Sequence, residues 1–244
     1  MKKVTLITGA NRGIGKEIAI KFASEDNNLI LLARKKSQIN EFVKKIRKKY
    51  KIEVKYFVGD LRDQKFINKI EKKVTKIDNL INNAAGENTK YFTKVTNKDL
   101  DDLISVNLKS IFKLSQIFTK KMIKNRIKGS IISLSSQLGH IGAYNRTAYC
   151  MTKFGLEGLT KSMAMDLGKY GIRVNTVSPT KTIISSSERK STSGRLNLIR
   201  KKIPLKKFST TKQIASIVYF LTTKSAASIT GTSIISDGGW NAGK

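Results

Sequence analysis

The sequence predicts a single-domain α/β fold, with a doubly wound, mostly parallel β-sheet covered by helices on both faces. Short apolar, β-branched runs alternate with amphipathic segments along the whole chain, as in repeated β–α–β units. The first apolar run ends in a glycine-rich turn that leads directly into a helical pattern. No Pro-, Gly- or Ser-rich linker divides the 244 residues, so we expect one domain over residues 1–244.

The individual elements follow from the apolar patterns. Short buried runs bounded by turn residues predict strands at 4–8, 28–33, 54–58, 80–82, 130–134, 173–177 and 233–235. Apolar residues three and four apart predict helices at 14–24, 37–50, 64–75, 98–113 and on to 124, 149–169 and 213–221. Ser37 is the expected N-cap of the second helix. The polar stretch at about 181–203 shows no periodicity and is predicted to be a flexible lid loop.

Composition bounds the class of protein. The 48 Lys and Arg against 17 Asp and Glu give a net charge of +31, which is typical of nucleic-acid-binding proteins. The excess is mostly Lys, is spread along the chain, and accompanies the Ile and Asn of AT-rich codons, so we expect no specific nucleic-acid site. A non-catalytic, basic nucleic-acid-binding protein remains the alternative of a different class.

Cysteine and apolar content indicate the compartment. The lone Cys150 excludes an intrachain disulfide and suits a reducing compartment. No apolar run approaches the roughly 18 residues of a membrane span. We therefore expect a cytoplasmic protein without a membrane partner. No His, Cys or carboxylate set has metal-ligand spacing, so no metal site is expected.

The first β–α turn carries the signal for a dinucleotide. Thr8-Gly9-Ala10-Asn11-Arg12-Gly13-Ile14-Gly15 lies between the first strand and the first helix. Glycines at this place allow a tight turn and a close approach of the backbone to a pyrophosphate at the helix N-terminus. The Gly-x-x-x-Gly-x-Gly spacing differs from the common G-x-G-x-x-G fingerprint. The prediction of a dinucleotide site therefore depends on the position of these glycines between a strand and a helix. The residues expected to contact the cofactor here are Gly9, Arg12, Gly13, Ile14 and Gly15.

The end of the second strand indicates which dinucleotide binds. A carboxylate at this place would hydrogen-bond the ribose hydroxyls of NAD, but the sequence reads Ala33-Arg34-Lys35-Lys36. Arg34 can pair with a 2′-phosphate through two hydrogen bonds, and Arg12 can approach the same group. The pattern favours NADP(H) over NAD(H).

A tyrosine and a lysine mark the candidate reaction centre. Tyr149 and Lys153 are four residues apart and lie on one face of a predicted helix. An ammonium beside the phenol is expected to lower the pKa of Tyr149 from about 10 towards neutrality. Tyr149 could then act as a general acid on a ketone or as a base on an alcohol.

Together these motifs resemble the short-chain dehydrogenase/reductase family along essentially the whole chain. The family's glycine turn matches Gly9, Gly13 and Gly15, and its Tyr-x-x-x-Lys matches Tyr149 and Lys153. The remaining matches are the acid after the third strand (Asp60), Asn-Asn-Ala (Asn82, Asn83, Ala84), the helical Asn (Asn107), the serine thirteen residues before the Tyr (Ser136), and Asp-Gly-Gly (Asp237, Gly238, Gly239). The resemblance implies a Rossmann-type fold and hydride transfer between a nicotinamide and a ketone or secondary alcohol.

The resemblance also implies a role for each matched residue. Ser136 would bind the substrate carbonyl, Tyr149 would donate the proton, Lys153 would hold the ribose hydroxyls, and Asn107 would fix a water that relays protons. Ser135 has the wrong spacing to Tyr149. The further cofactor contacts implied are Asp60, Leu61, Asn83, Ala84, Pro179 and Thr182, together with Tyr149 and Lys153.

Two positions depart from the family pattern. Ala85 stands where Asn-Asn-Ala-Gly has its glycine, which is displaced to Gly86, and Pro179-Thr180 replaces Pro-Gly. Neither change removes a reactive group. His140, the only histidine, is either a substrate contact or an ordinary loop residue. Cys150 is expected to be a small core residue rather than a nucleophile.

The substrate class follows only from charge and resemblance. The lid stretch has one acid, Glu188, against seven basic residues: Lys181, Arg189, Lys190, Arg195, Arg200, Lys201 and Lys202. An anionic substrate suits this charge, either a thioester on an acidic carrier protein or a sugar acid. The resemblance implies 3-oxoacyl-carrier-protein reduction or, alternatively, sugar-acid or polyol dehydrogenation as in gluconate dehydrogenases. It also implies a homotetramer packed through the two long helices and the last strand.

Overall fold

The computed structural model describes residues 2–183 and 194–243, and its centre is a seven-stranded sheet. The strand order is β3-β2-β1-β4-β5-β6-β9, and all six pairings are parallel. The strands are β1 Val4–Thr8, β2 Asn28–Ala33, β3 Val54–Val58, β4 Asn79–Asn82, β5 Ser130–Leu134, β6 Arg173–Pro179 and β9 Ser233–Ser236. Chain order reverses between β1 and β4, which opens a crevice at their carboxyl ends.

Helices cover both faces of this sheet. The α-helices are α1 Gly13–Ser24, α2 Lys36–Lys49, α3 Gln64–Lys73, α4 Asn97–Ile104, α5 Ser110–Lys124, α6 Thr147–Leu167, α7 Gly194–Lys202 and α8 Thr211–Phe220. One buried cluster contains Phe22 of α1, Phe42 of α2 and Val218 of α8. A second contains Ile67 of α3 and Phe118 of α5. The two clusters lie on opposite sides of the strands, which confirms the predicted doubly wound α/β architecture.

Strand positions agree closely with the sequence pattern, because a buried parallel strand is a continuous apolar run. Four predicted strands, 4–8, 28–33, 54–58 and 130–134, match the observed bounds. The sixth strand is longer than predicted and ends at Pro179, which pairs with Ser236 of the edge strand β9. The Ser37 cap is wrong: α2 begins at Lys36, and its N-cap, Lys35, makes no side-chain capping bond.

The predicted lid loop contains regular structure. Helix α7 covers Gly194–Lys202, and β7 (Thr182–Ile183) pairs with β8 (Ser209–Thr210) in a small second sheet. Three basic residues in the last turn of α7 lie where the helix dipole favours cations. This helix was not predicted because its apolar residues are too few to show a clear helical periodicity. Residues 184–193, including Glu188, Arg189 and Lys190, lie outside the described residues.

None of the helices in the described ranges 2–183 and 194–243 is both long enough and apolar enough to span a bilayer.

Candidate active site

The glycine turn after β1 is folded tightly against the start of α1. Gly9 and Gly13 have φ values of +65° and +53°, a left-handed conformation that glycine adopts without strain. A Cβ on Gly15 would lie 2.3 Å from the Gly9 carbonyl oxygen, so no larger residue fits there. The turn therefore brings bare backbone to the crevice between β1 and β4.

The N-terminus of α1 is suited to an anion. Its first turn contains no acidic residue, and its N-cap, Arg12, makes no side-chain capping bond. The first backbone N–H groups of the helix are then available to a ligand, and the helix dipole adds positive potential. These are the features that a pyrophosphate requires, so the residues present fit a dinucleotide.

Hydrogen bonds join the ends of β1 and β4 across the crevice. The Thr8 hydroxyl accepts from the backbone N–H groups of Asn83 and Ala84, both at 2.9 Å. The Asn83 amide in turn donates to the carbonyls of Thr8 (3.0 Å) and Gly9 (3.2 Å). The Asn83 side chain therefore holds the glycine turn through two hydrogen bonds, which explains why an asparagine follows β4. Thr8 is a supporting residue that sequence reasoning missed.

The two predicted arginines lie at the carboxyl edge of β1 and β2. Arg34 directly follows β2, Arg12 precedes α1, and both side chains are exposed. A hydrogen bond of 2.7 Å between the Asn11 and Gln38 amides ties the glycine turn to the start of α2 beside them. The two guanidinium groups thus belong to adjoining segments, as the predicted 2′-phosphate site requires.

Asp60 after β3 is already paired with an arginine. Arg62 donates to both Asp60 carboxylate oxygens, and its third nitrogen reaches Asp102 of α4 at 2.6 Å. The hydrogen bond with Arg62, helped by the charge of Arg34, holds the pKa of Asp60 below its usual value. This predicted cofactor contact is therefore an ionised carboxylate fixed in position, with Leu61 beside it.

Asn107 lies in a single π-helical turn, Ser105–Lys109, between α4 and α5. Its side chain is fully buried and donates to the Gly86 carbonyl and to the Thr152 hydroxyl, both at 3.0 Å. Its amide oxygen accepts from the Gly86 N–H at 2.8 Å. Isolated π turns of this kind occur frequently at functional sites. The displaced glycine after Ala85 is thus the residue that receives Asn107.

Ser136 and Tyr149 face each other at the wall of one cavity. Ser136 follows β5, and its oxygen accepts from the Leu138 N–H at 3.1 Å, which leaves its O–H free to donate. Burial raises the pKa of Tyr149 to about 12, and a hydrogen bond with Ser136 opposes that shift. Ser135 is buried and does not line the cavity. The structure therefore brings together the serine and the tyrosine that the motif spacing selected.

Lys153 is buried one turn after Tyr149. Its ammonium donates to the Leu134 carbonyl at 2.7 Å and lies 5.6 Å from the centre of the Tyr149 ring. Burial lowers the pKa of Lys153 to about 8, although the charge of Glu157 acts in the opposite direction. The predicted lowering of the Tyr149 pKa towards neutrality is wrong for this structure, because burial of the phenol outweighs its hydrogen bond with Ser136.

The cavity has a volume of about 1120 Å³ and extends from Ser136 and Tyr149 to the protein surface. Aromatic side chains form much of its wall: Tyr91, Phe92, Tyr144 and Trp240. Leu196 and Ile199, three residues apart on α7, close one side, and Lys181 and Lys202 also lie on the lining. The cavity thus combines an apolar wall with cationic groups.

The other predicted residues have defined places. Pro179 ends β6, and the Thr182 hydroxyl donates to the Thr180 carbonyl at 3.1 Å. His140 does not line the cavity but contacts two serines, which favours the loop-residue interpretation over a substrate contact. Burial raises the pKa of the Cys150 thiol, consistent with an unreactive packing residue.

Comparison with known proteins agrees with this site. A family model described as Enoyl-(Acyl carrier protein) reductase matches residues 9–241. The 3-oxoacyl-[acyl-carrier-protein] reductase FabG of Buchnera aphidicola subsp. Schizaphis graminum is 36% identical, over 98% of this chain and 97% of that protein. The L-xylulose reductase of Mus musculus is 31% identical, over 96% and 95% of the two chains. A solved structure of 4-hydroxyisoleucine dehydrogenase complexed with NADH is 30% identical, with a TM-score of 0.90 over 100% of both chains.

A parallel sheet with this strand order, a glycine turn suited to a dinucleotide and a cavity-lining Tyr149 beside the buried Lys153 define a nicotinamide-dependent oxidoreductase. The chain belongs to the short-chain dehydrogenase/reductase family. It is an NAD(P)-dependent enzyme that acts on CH–OH groups and their carbonyl counterparts.

Proposed function

We propose that this enzyme reduces 3-oxoacyl thioesters carried on an acidic acyl carrier protein, with NADPH as the reductant. The observation that carries the proposal is the large cavity whose lining contains Ser136 and Tyr149 together with several aromatic side chains. Its volume of about 1120 Å³ exceeds the roughly 300–1,000 Å³ typical of small-molecule sites, which suits an extended acyl chain. The 36% identity to a 3-oxoacyl-carrier-protein reductase supports the same substrate class.

The side chains divide the reaction between them. When bound, the nicotinamide supplies the hydride that reaches the carbonyl carbon. Ser136 donates a hydrogen bond to the carbonyl oxygen, and Tyr149 transfers its proton to that oxygen. A phenol with a pKa of about 12 is fully protonated at neutral pH, which is the form that a reductase needs before each turnover. Asn107 has the role of holding a water molecule that passes a proton towards Lys153.

Lys153 acts on the phenol after proton transfer. Its ammonium lies over the Tyr149 ring, so it stabilises the phenolate that remains when the proton has left. The same ammonium is the donor for the ribose hydroxyls of the cofactor. Because the pKa of Lys153 is about 8, both roles weaken as the pH rises above that value.

The proposed preference for NADPH rests on Arg34 and Arg12. Both are exposed at the end of the strand and turn where the adenosine ribose binds in this fold, and α1 has no acid in its first turn. A 2′-phosphate would gain charge-assisted hydrogen bonds from the two guanidinium groups, whereas a 2′-hydroxyl would gain less. The remaining cofactor contacts proposed are the glycine turn, Asp60, Leu61, Asn83, Ala84, Pro179 and Thr182.

We also propose a homotetramer that forms through α5 and α6 and works in the cytoplasm as a single domain. Large apolar side chains on these two helices are exposed: Phe112, Met151, Phe154 and Met165. Such a set of exposed apolar residues is typical of a subunit interface.

A second candidate is the reduction of a sugar ketone. The 31% identity to an L-xylulose reductase, over nearly all of both chains, favours it. A small polyhydroxylated substrate would need hydrogen-bonding groups around the reacting carbon, whereas the aromatic wall of the cavity favours an acyl chain.

The decisive experiment is an assay of NADPH and NADH oxidation with a short 3-oxoacyl thioester, with L-xylulose and a keto-sugar acid as alternative substrates. We expect NADPH-dependent turnover of the thioester that disappears in Tyr149→Phe, whose NADPH binding is nearly unchanged. Turnover of the sugar substrates alone would replace the proposal with the second candidate. Salt-sensitive RNA or DNA binding without any turnover would favour the non-catalytic alternative.

A further inference from the structure

A buried polar cluster lies behind the reacting side chains. Its centre is Glu157 of α6, which is only 8% exposed. The Thr176 hydroxyl donates to one carboxylate oxygen at 2.8 Å, and the Ser178 hydroxyl donates to the other at 3.0 Å. Ser233 of β9 and the Nε2 atom of His140 approach that second oxygen to 3.5 Å and 3.4 Å.

The hydrogen-bonding groups around Glu157 suit a carboxylate acceptor. Every neighbour of the Glu157 carboxylate can donate, since three are hydroxyls and the fourth is an imidazole nitrogen. Nε2 of His140 also lies 3.2 Å from both the Ser178 and Ser233 hydroxyls. An ionised carboxylate accepts the hydrogen bonds from the hydroxyls, and His140 is linked to it through Ser178 and Ser233, the hydrogen-bond partners of Nε2. The cluster therefore concentrates one negative charge inside the protein.

The cluster joins α6, which carries Tyr149 and Lys153, to the loop that carries Ser136. Glu157 is on α6, four residues after Lys153 and eight after Tyr149, so the three side chains share one helix face. His140 is four residues after Ser136 in the same loop. Between them, Gly139 packs so closely on α6 that a Cβ would lie 3.1 Å from the Lys153 carbonyl and 3.3 Å from the Glu157 side chain. The Ser136 loop is thus held on the Tyr149 helix at Glu157.

Glu157 also stabilises the charged form of Lys153. Lys153 is fully buried, and Glu157 is the carboxylate that raises its pKa against the effect of burial. The other titratable groups around this face are Tyr149 on α6 and His140 in the loop after β5. The neighbouring residues of β6 and β9, Thr176, Ser178 and Ser233, are neutral. Removal of the Glu157 charge therefore leaves Lys153 without its buried counter-charge.

We propose that Glu157 is a positioning residue for the reaction, which clamps the Ser136 loop to α6 through His140 and supplies the buried counter-charge of Lys153. The expected effects on kcat and on its pH profile rest on the proposed function. The contact between the Ser136 loop and α6 is a property of the fold, and hydrogen exchange measures it without turnover.

The test compares Glu157→Gln with Glu41→Gln, which removes the same charge from an exposed position on α2. In Glu157→Gln we expect the high-pH limb of kcat to move down by about one pH unit, since an opposing charge has been lost. We expect kcat to fall about tenfold with a nearly unchanged KM, since Ser136 and Tyr149 lose their alignment. Glu41→Gln should match the wild type in both respects.

A second readout does not need turnover. Hydrogen exchange of the backbone amides in residues 135–142 should accelerate in Glu157→Gln and in His140→Ala, while the amides of α1 and β1 keep their protection. His140→Gln, which retains a donor, should recover part of the protection and of kcat. Faster exchange with no turnover by the wild-type protein would overturn the proposed function and leave the clamp standing.

An unchanged pH profile together with unchanged exchange in a folded Glu157→Gln protein would overturn the proposal. If Glu157→Gln does not fold, His140→Ala decides alone, because His140 lies partly at the surface. Wild-type exchange and kcat in His140→Ala would then reject the clamp.

Discussion

The side-chain amide of Asn107 and the backbone of Gly86 exchange two hydrogen bonds, of 2.8 Å and 3.0 Å. This pair joins the π turn between α4 and α5 to the loop after β4. It also fixes which amide atom of Asn107 is the donor, since the nitrogen faces the Gly86 carbonyl and the Thr152 hydroxyl. The loop that borders the cofactor crevice is therefore held by a side chain assigned to proton relay.

The Asn107–Gly86 pair predicts a large effect of a small change. In Asn107→Asp, a carboxylate oxygen faces the Gly86 carbonyl inside the protein and two donated hydrogen bonds are lost. We expect the free energy of unfolding to fall by about 3 kcal/mol or more, because the new charge is buried with the Gly86 N–H as its one donor among these partners. Urea unfolding measures this loss. Asn97→Asp, the same change at the exposed start of α4, should alter stability by less than about 0.5 kcal/mol.

The crowding at Gly15 predicts a contrast between two glycines in helices. In Gly15→Ala the new methyl group would overlap the Gly9 carbonyl at 2.3 Å, so the glycine turn must move. We expect a loss of about 2 kcal/mol in stability and at least a tenfold weaker NADPH affinity. Gly158→Ala on α6 meets nothing within 4 Å and should gain up to about 1 kcal/mol from helix propensity. Calorimetry and fluorescence titration together distinguish the two; equal behaviour would contradict the packing argument.

Arg34 predicts how the two cofactors are distinguished. In Arg34→Ala we expect the Kd of NADPH to rise about 10- to 100-fold, the loss of a charge-assisted pair, with the Kd of NADH changing less than about threefold. Lys36→Ala, two residues away and also exposed, controls for the general loss of positive charge. Isothermal titration with both cofactors checks the prediction. An equal loss for NADPH and NADH would reject the 2′-phosphate assignment.

The buried Lys153 predicts a pH dependence of stability. The pKa of Lys153 is about 8 in the folded chain and about 10.4 in an unfolded chain, so between these values the unfolded state binds more protons. The wild-type protein should therefore gain up to about 3 kcal/mol of stability relative to Lys153→Met as the pH rises from 7 to 10.5. Denaturant unfolding of both proteins at several pH values gives this difference. A constant gap between them would show that Lys153 is not desolvated in the folded state.

Tyr149 predicts the opposite trend at higher pH. Its pKa is about 12 in the folded protein, above the unfolded value of about 10, so the folded state retains the proton longer. This contribution to stability is complete below pH 10 and is lost as the pH rises towards 12. Comparison with Tyr149→Phe isolates it, and a difference already present between pH 7 and 9 would point to another cause.

Sequence was sufficient for most of the fold and for selecting the candidate site residues, through the family motifs that they match. The strands were predictable because their apolar runs are continuous. Ser136, Tyr149 and Lys153 were predictable because their spacing along the chain is visible in the sequence. The Glu157 cluster was not, because its members come from α6, β6, β9 and the Ser136 loop, and nothing in the sequence joins them. The direction of the Tyr149 shift also depends on burial, which only the packed structure fixes. Helix α7 was missed because Leu196, Leu198 and Ile199 are its only apolar residues and form too short a stripe to show helical periodicity.

The π turn at Asn107 has a consequence for how this chain tolerates length changes. The Ser110 N–H bonds to the carbonyl of Ser105, five residues back, so this turn contains one residue more than an α-helix would use. Each residue of an α-helix advances the rotation by about 100°, and α4 and α5 are therefore offset by that angle relative to a continuous helix. Deletion of any single residue from Ser105–Lys109 would convert the wide turn into an ordinary α-helical turn, in which Asn107 would no longer lie opposite Gly86 and Thr152. At this point of the chain the number of residues constrains variation as strongly as their identity.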